Sequence, residues 1–327
     1  MKKSSWLFIS VLILSTTITM SANNWISMWM GLELNMMSFI PLILNEPNKS
    51  KSEAAMMYFL VQSISSMLLM SMILLNMCKY LLDPKMINMI INISVLIKLG
   101  AAPFHLWMPE IMSKLSWINC MILMTWQKLA PMMMISNLNN SLIINISIIC
   151  SIIIGSLGGI NQMSLRKMMG YSSINHLGWM LAINKSMNLW MMYIIIYSIL
   201  TSMLCYMFNN YKMFFMNQVS NINMSIMEKL SFFIMMLSMG GLPPFMGFLP
   251  KWITIQNMMN EKEFMIMFIM IMFSLVNLMY YLRVMTNMYL SFNSTIKWSI
   301  MHQNKLMTMS IMIINLSLPM IMITEIM

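Results

Sequence analysis

Charge is scarce in this chain: only 9% of its 327 residues are Asp, Glu, Lys or Arg, against roughly 25% in a soluble globular domain. With 59% hydrophobic residues and a mean hydropathy of +0.74, that shortage argues against a soluble enzyme or binding module. It predicts an all-α polytopic membrane protein. Cysteine is nearly missing too. Cys78, Cys120, Cys150 and Cys205 have no C-x-x-C or ligand-like spacing, so no iron–sulfur or zinc site is indicated and they read as small buried apolar residues. No G-x-G-x-x-G, P-loop, haem-type histidine pair or nucleophile elbow occurs, which argues against nucleotide or redox chemistry in the chain itself. The formal charge of +10 comes from single basic residues scattered between apolar spans rather than from one stripe, so no nucleic-acid partner is expected.

Methionine, by contrast, is abundant, with 54 residues spread through every apolar span. That scatter fits coding bias, Met serving where Leu or Ile would, rather than a metal site. Lys2 and Lys3 precede an apolar run from Trp6 to Met20 that looks like a signal peptide, but the cleavage signal is weak and a retained first helix is expected. Segments of about 20 apolar residues cross a bilayer, and eleven are expected here, near 4–21, 25–44, 54–78, 87–104, 117–136, 141–160, 168–184, 189–208, 229–258, 264–283 and 306–326. Sorted by this topology, twelve Lys and Arg residues fall on the side of the N-terminus and only Lys79, Lys85, Lys185 and Lys262 on the other. Short positively charged loops stay on the side of synthesis. Lys98, Lys128 and Lys251 fit neither side, because they lie within or beside apolar helices.

Glycine and proline occur only ten times each, yet they recur in one frame, Gly-x-x-Pro-Phe-x-x-aromatic-x-Pro, beginning at Gly100 and again 141 residues later at Gly241. Both copies must interrupt a helix, near Gly100–Pro103 and Gly240–Gly247. The offset divides the single membrane domain, 1–327, into five-span units at 4–136 and 141–283 plus a C-terminal helix at 306–326. Two successive odd-numbered units sit in opposite orientations, so the repeats are expected to be inverted, as in many transporters.

Six residues in or beside these spans could carry chemistry. Glu33 lies near the middle of the second span, where a carboxylate costs about 2.5–3.5 kcal/mol on insertion scales and needs a cation; Lys98, deep in the fourth span beside the first break, is its natural partner. A carboxylate at variable distance would switch the lysine between holding and releasing a proton, while a static buried pair is the alternative. Lys128, mid-span near Pro131, is equally readable as a relay station or a structural ion-pair partner. Lys251 follows Pro250 and precedes Trp252, so it is either an interfacial anchor or, if the helix resumes after the break, an intramembrane group. His105 and His176 could shuttle protons, although a hydrogen-bonded structural histidine is the commoner case. Gly155 and Gly159 form a G-x-x-x-G helix-packing motif.

Five segments then carry a resemblance: Trp29 to Asn35, Lys98 to Trp107, Thr125 to Lys128, Ser172 to Trp179 and Gly240 to Trp252. Together they resemble the antiporter-like membrane subunits of respiratory complex I, in particular the mitochondrially encoded NADH dehydrogenase subunit 2 family, over essentially the whole chain. Animal mitochondria read AUA as methionine, which would account for the Met excess. The resemblance implies a shortened, eleven-helix form in the mitochondrial inner membrane, with the N-terminus facing the matrix. It implies proton translocation coupled to electron transfer elsewhere, with Glu33 and Lys98 as the coupled pair, Lys128 the central relay, Lys251 the exit-side lysine, and His105 and His176 as lesser relays. No cofactor is expected on this chain; NADH, FMN, iron–sulfur clusters and ubiquinone belong to other subunits. The partners implied are other membrane subunits of the complex, neighbouring antiporter-like subunits among them, and inner-membrane lipids. A cation/proton antiporter subunit, or a structural subunit whose buried charges only fix packing and assembly, would carry many of the same features.

Overall fold

A backbone N–H or C=O left unpaired in hydrocarbon is costly, so a chain this apolar has to close its hydrogen bonds within each segment. The computed structural model, which describes residues 3–45, 48–78, 83–138, 141–221, 224–289 and 305–319, does so with helices. In order these are α1 (Lys3–Ser21), α2 (Trp25–Ile43), α3 (Lys49–Met77), α4 (Pro84–Leu99), α5 (Trp107–Lys114), α6 (Trp117–Met124), α7 (Trp126–Ser136) and α8 (Ser141–Ile160). There follow α9 (Leu165–Ala182), α10 (Met187–Asn210), α11 (Met216–Asn221), α12 (Ile226–Gly240), α13 (Phe248–Asn260), α14 (Phe264–Tyr289) and α15 (Lys305–Asn315). Among the described residues, extended pairing is limited to one bridge between Ser164 and Phe215.

Helices α2, α3, α8, α10 and α14 are each long and apolar enough to cross a membrane alone. The expected ninth span is α12 and α13 on either side of the second break, the fourth ends as α4 at the first break with α5 following it, and the expected fifth span is also two helices, α6 and α7. In the fifth, Pro131 sits inside α7 and the interruption falls at Thr125. There the Thr125 hydroxyl and its backbone N–H both donate to Met121 O, and such back-bonding bends helices. The connection between α10 and α12 contains the short α11. At the C-terminus α15 stops at Asn315; positions 320–326 of the expected last span lie outside the described residues, as do Lys2, Lys79, Lys297 and His302.

The two glycine–proline breaks have the same backbone form. Helix α4 ends with Gly100 at φ 68° and α12 with Gly241 at φ 77°, a left-handed conformation that favours glycine. In both, the residue after the glycine reaches back five positions, Ala101 N–H to Leu96 O and Leu242 N–H to Leu237 O, which is the Schellman ending. The helices resume at Trp107 and Phe248, keeping the 141-residue offset.

Helix α9 is the hub. Fifteen of its 18 residues are buried, and it packs against α5 and α6 of the first half and α8, α10 and α13 of the second. The G-x-x-x-G motif serves this packing: a Cβ on Gly155 would lie 2.7 Å from Asn175 N of α9, and one on Gly159 3.0 Å from the Tyr280 ring of α14. At the first turn of α9, Arg166 Nη1 donates to Leu115 O at 2.6 Å, and its guanidinium covers the Phe214 ring at 4.8 Å. Arg166→Met leaves that carbonyl unmet and should cost about 1.5–3 kcal/mol, read as a lower denaturation midpoint of the solubilised protein.

Candidate functional site

The charged residues singled out from the sequence become one arrangement through α9. Lys98 ends α4, where backbone carbonyls lose their helical partners. Two of these are taken by side chains: Trp107 Nε1 donates to Ile97 O and Gln62 Nε2 to Lys98 O, each at 3.2 Å. The Lys98 amine itself is buried and meets no hydrogen-bond partner; neither does Glu33 Oε1 on α2. The two are therefore not in direct contact, although the Glu33 charge acts on Lys98.

Between Lys98 and Lys128 lies a cavity of about 20 Å³, enough for about one water. Tyr58, Gln62, Asn35 and Gln127 also line it. Tyr58 OH donates to Gln127 Oε1 at 3.2 Å, and Gln127 Nε2 donates to Asn35 Oδ1 at 3.1 Å. Tyr58 and Gln62, one turn apart on α3, were missed from the sequence. A glutamine inside an otherwise apolar membrane helix was the available signal.

Beyond the cavity, α9 presents Ser173, His176 and Trp179 at three-residue spacing, a strip about 9 Å long along one face. Lys128 Nζ donates to Ser173 O at 2.9 Å and lies 5.1 Å from the Tyr197 ring centroid. His176 is 4.8 Å, ring to ring, from the same Tyr197, and its Nδ1 is 2.8 Å from Tyr193 OH. The charges of both Lys128 and Lys251 act on His176. Lys251 Nζ donates to Gly240 O at 2.6 Å and lies 5.5 Å from the Trp179 ring, within cation–π range. Lys251 is thus buried in the first turn of α13, not an interfacial anchor, while Trp252 is exposed. Gly241 is what admits it: a Cβ there would stand 2.7 Å from Lys251 Nζ.

Among the described residues, none of these three lysines has a carboxylate within salt-bridge distance. Each of Lys128 and Lys251 has instead one carbonyl and one aromatic face. An amine donates to a carbonyl whether it carries two protons or three, so this geometry accommodates both states. His105 is not part of the strip. It sits in the first break with Nδ1 3.2 Å from Pro103 O and its ring 6.4 Å from Tyr171. Outside the membrane, beyond α9 and α13, Lys185 is paired with Glu261 and lies 3.7 Å from Glu263; the Glu261 carboxylate raises its affinity for its proton. No group of three or more His, Cys, Asp or Glu side chains suited to a metal occurs among the described residues.

The chain as a whole is similar to known proteins. The family described as NADH:quinone oxidoreductase/Mrp antiporter, TM, matches residues 22–277. NADH-ubiquinone oxidoreductase chain 2 of Anopheles gambiae is 47% identical, covering 86% of this chain and 85% of that protein; the chain 2 of Dugong dugon is 36% identical, covering 96% and 95%. A chain of respiratory complex I from Thermus thermophilus superposes with a TM-score of 0.82 at 18% identity, covering 94% of this chain and 75% of that one. One from the Mrp complex of Dietzia superposes at 0.76 with 13% identity, covering 86% and 60%. The all-helical fold is therefore the antiporter-like membrane fold, and the chain belongs to the NADH:quinone oxidoreductase/Mrp antiporter family and, within it, to the NADH-ubiquinone oxidoreductase chain 2 proteins.

Proposed function

We propose that the chain is a proton-translocating membrane subunit of mitochondrial complex I, moving protons across the inner membrane while electron transfer from NADH to ubiquinone proceeds on other subunits. Counting α4 with α5, α6 with α7 and α12 with α13 as one crossing each, and leaving out the six-residue α11, gives eleven crossings. These divide into two inverted five-crossing units and a C-terminal helix, with the N-terminus in the matrix. Neighbouring antiporter-like subunits and inner-membrane lipids cover its flanks, and FMN and iron–sulfur clusters lie elsewhere in the complex.

The observation that carries this reading is the strip on α9, where His176 lies between Ser173, whose carbonyl meets Lys128, and Trp179, whose ring faces Lys251; among the described residues no ion pair locks either lysine. A shift of the Glu33 charge relative to Lys98 changes how firmly Lys98 holds its proton. The proton passes through the Tyr58–Gln127 cavity to Lys128, then past His176 to Lys251. Of the two lesser candidates, His176 fits such a relay, whereas His105 has a backbone partner and a ring neighbour away from it.

Lys251→Met tests the reading. In the assembled complex, reconstituted in vesicles, it should lower proton movement per electron by roughly tenfold. An unchanged ratio would sink the relay, and a variant that never assembles would favour the structural role instead.

A further inference from the structure

The relay leaves a cleft on the outer flank unexplained. Helices α6, α10 and α15 enclose a cavity of about 460 Å³, within the size range of sites that hold a small ligand. Met121, Met203 and Ile311 give it apolar walls, one from each helix. Its lining on α10 runs from Ser202 to Asn209, which places it within about 10 Å of the end of that helix. At this end stand Trp117, Tyr206 and Asn209, the last two exposed.

Just beyond the cavity, α10 ends as α4 and α12 do. Lys212 N–H donates to Asn209 O at 3.2 Å and Met213 N–H to Phe208 O at 2.9 Å, again the Schellman pattern. Lys212 itself holds the left-handed position, at φ 50°, where both breaks use glycine. Trp117 Nε1 donates to Met213 O at 2.9 Å, so the residue next to this lysine is bonded to the cavity wall. The Lys212 side chain is exposed, and among the described residues no carboxylate lies within salt-bridge distance of it. A cation in a position that glycine fills more easily, at the end of a membrane-crossing helix and beside an apolar cavity, calls for an anion from outside the chain.

We infer that the cavity holds an acyl chain of an anionic membrane phospholipid, with the phosphate against Lys212. This rests on the reading that inner-membrane lipids cover the chain's flanks, and is independent of the relay. The two parts of such a lipid match the two parts of the site. Its hydrocarbon packs along Met121, Met203 and Ile311, where dispersion contacts sum, and its charged head meets a lysine at the membrane surface. Tyr206 OH and the Asn209 amide are donors for ester or phosphate oxygens, and Trp and Tyr are the side chains suited to headgroup depth. Bound there, the lipid joins α15 to α6 and α10.

The test uses the intact complex in phosphatidylcholine vesicles that contain a small fraction of phosphatidylglycerol carrying a photoreactive diazirine midway along one acyl chain. After illumination, mass spectrometry should find the label concentrated around Met121, Met203 and Ile311, above its level at Met265 and Phe268 on the exposed face of α14. Lys212→Gln removes only the charge and should lower that label roughly fivefold, with a smaller change for a phosphatidylcholine probe. Ser202→Phe puts a ring into the cavity and should abolish the label from both probes; if that variant fails to assemble, Lys212→Gln decides alone. Labelling by the anionic probe that Lys212→Gln leaves unchanged overturns the site, because the cavity is then in unselective contact with the bilayer. Label on α14 but none here overturns it too, and label on a neighbouring subunit at this place means that a protein helix covers the cavity. Absence of label from every outer face of the chain would remove the reading that lipids cover its flanks, and the site with it.

Discussion

Gly247→Ala is expected to keep the chain from forming a stable assembly, although it adds only one methyl group. A Cβ at Gly247 would stand 1.7 Å from Ser238 O and 2.6 Å from Ser238 C. Those are backbone atoms of α12, so no side-chain rotation relieves the overlap. Either the last turn of α12 or the start of α13 must move, and Lys251 is tied across them to Gly240 O. Overpacking in a filled core typically costs 1–3 kcal/mol, and a backbone clash should exceed about 3 kcal/mol. The corresponding position of the first break, Leu106, is 70% exposed, so Leu106→Ala should assemble normally. Native gel electrophoresis of the two variants decides the matter: a Gly247→Ala chain assembled at the normal level would refute this account of the break.

Lys98→Met should show the opposite pattern, with stability kept and function lost. The Lys98 amine is buried with no hydrogen-bond partner, so replacing it removes a polar group that costs about 2.5–3.5 kcal/mol at the centre of a membrane helix. Met is unbranched and adaptable enough to fill the same space. The denaturation midpoint should hold or rise, while proton movement per electron falls by roughly tenfold or more. A variant that is destabilised and still pumps would identify Lys98 as a packing residue. One that is stable and pumps normally would remove it from the relay.

The elements best read from the sequence were those whose cause is local. Gly100 and Gly241 end their helices because the left-handed cap needs glycine, and the resumption at Trp107 and Phe248 follows from the same frame. The interruption at Thr125 was not legible, because threonine usually sits in a helix without breaking it, whereas Pro131, six residues on, lies inside α7. Lys251 illustrates a second limit. The Lys–Trp pair at 251–252 is equally good as an interfacial anchor, and only the path of α13 back over Gly240 buries the lysine. The role of α9 was invisible for a third reason. Its partners are a backbone carbonyl at Ser173 and the faces of Trp179 and Tyr197, contacted from residues far away in the chain. No spacing rule connects a lysine on α7 to a carbonyl on α9.

The hydrogen bond from Lys251 to Gly240 O gives the second break a built-in optical readout. An ammonium polarises a carbonyl more strongly than a neutral amine does, so the stretching frequency of the Gly240 amide follows the charge on Lys251. With an isotopic label confined to that carbonyl, infrared difference spectra taken during turnover would follow the lysine through its cycle without a dye, an electrode or a substitution. The first break offers no such signal, since Lys98 O accepts from Gln62 and Ile97 O from Trp107 and the Gly100 N–H, donors that carry the same charge at every stage.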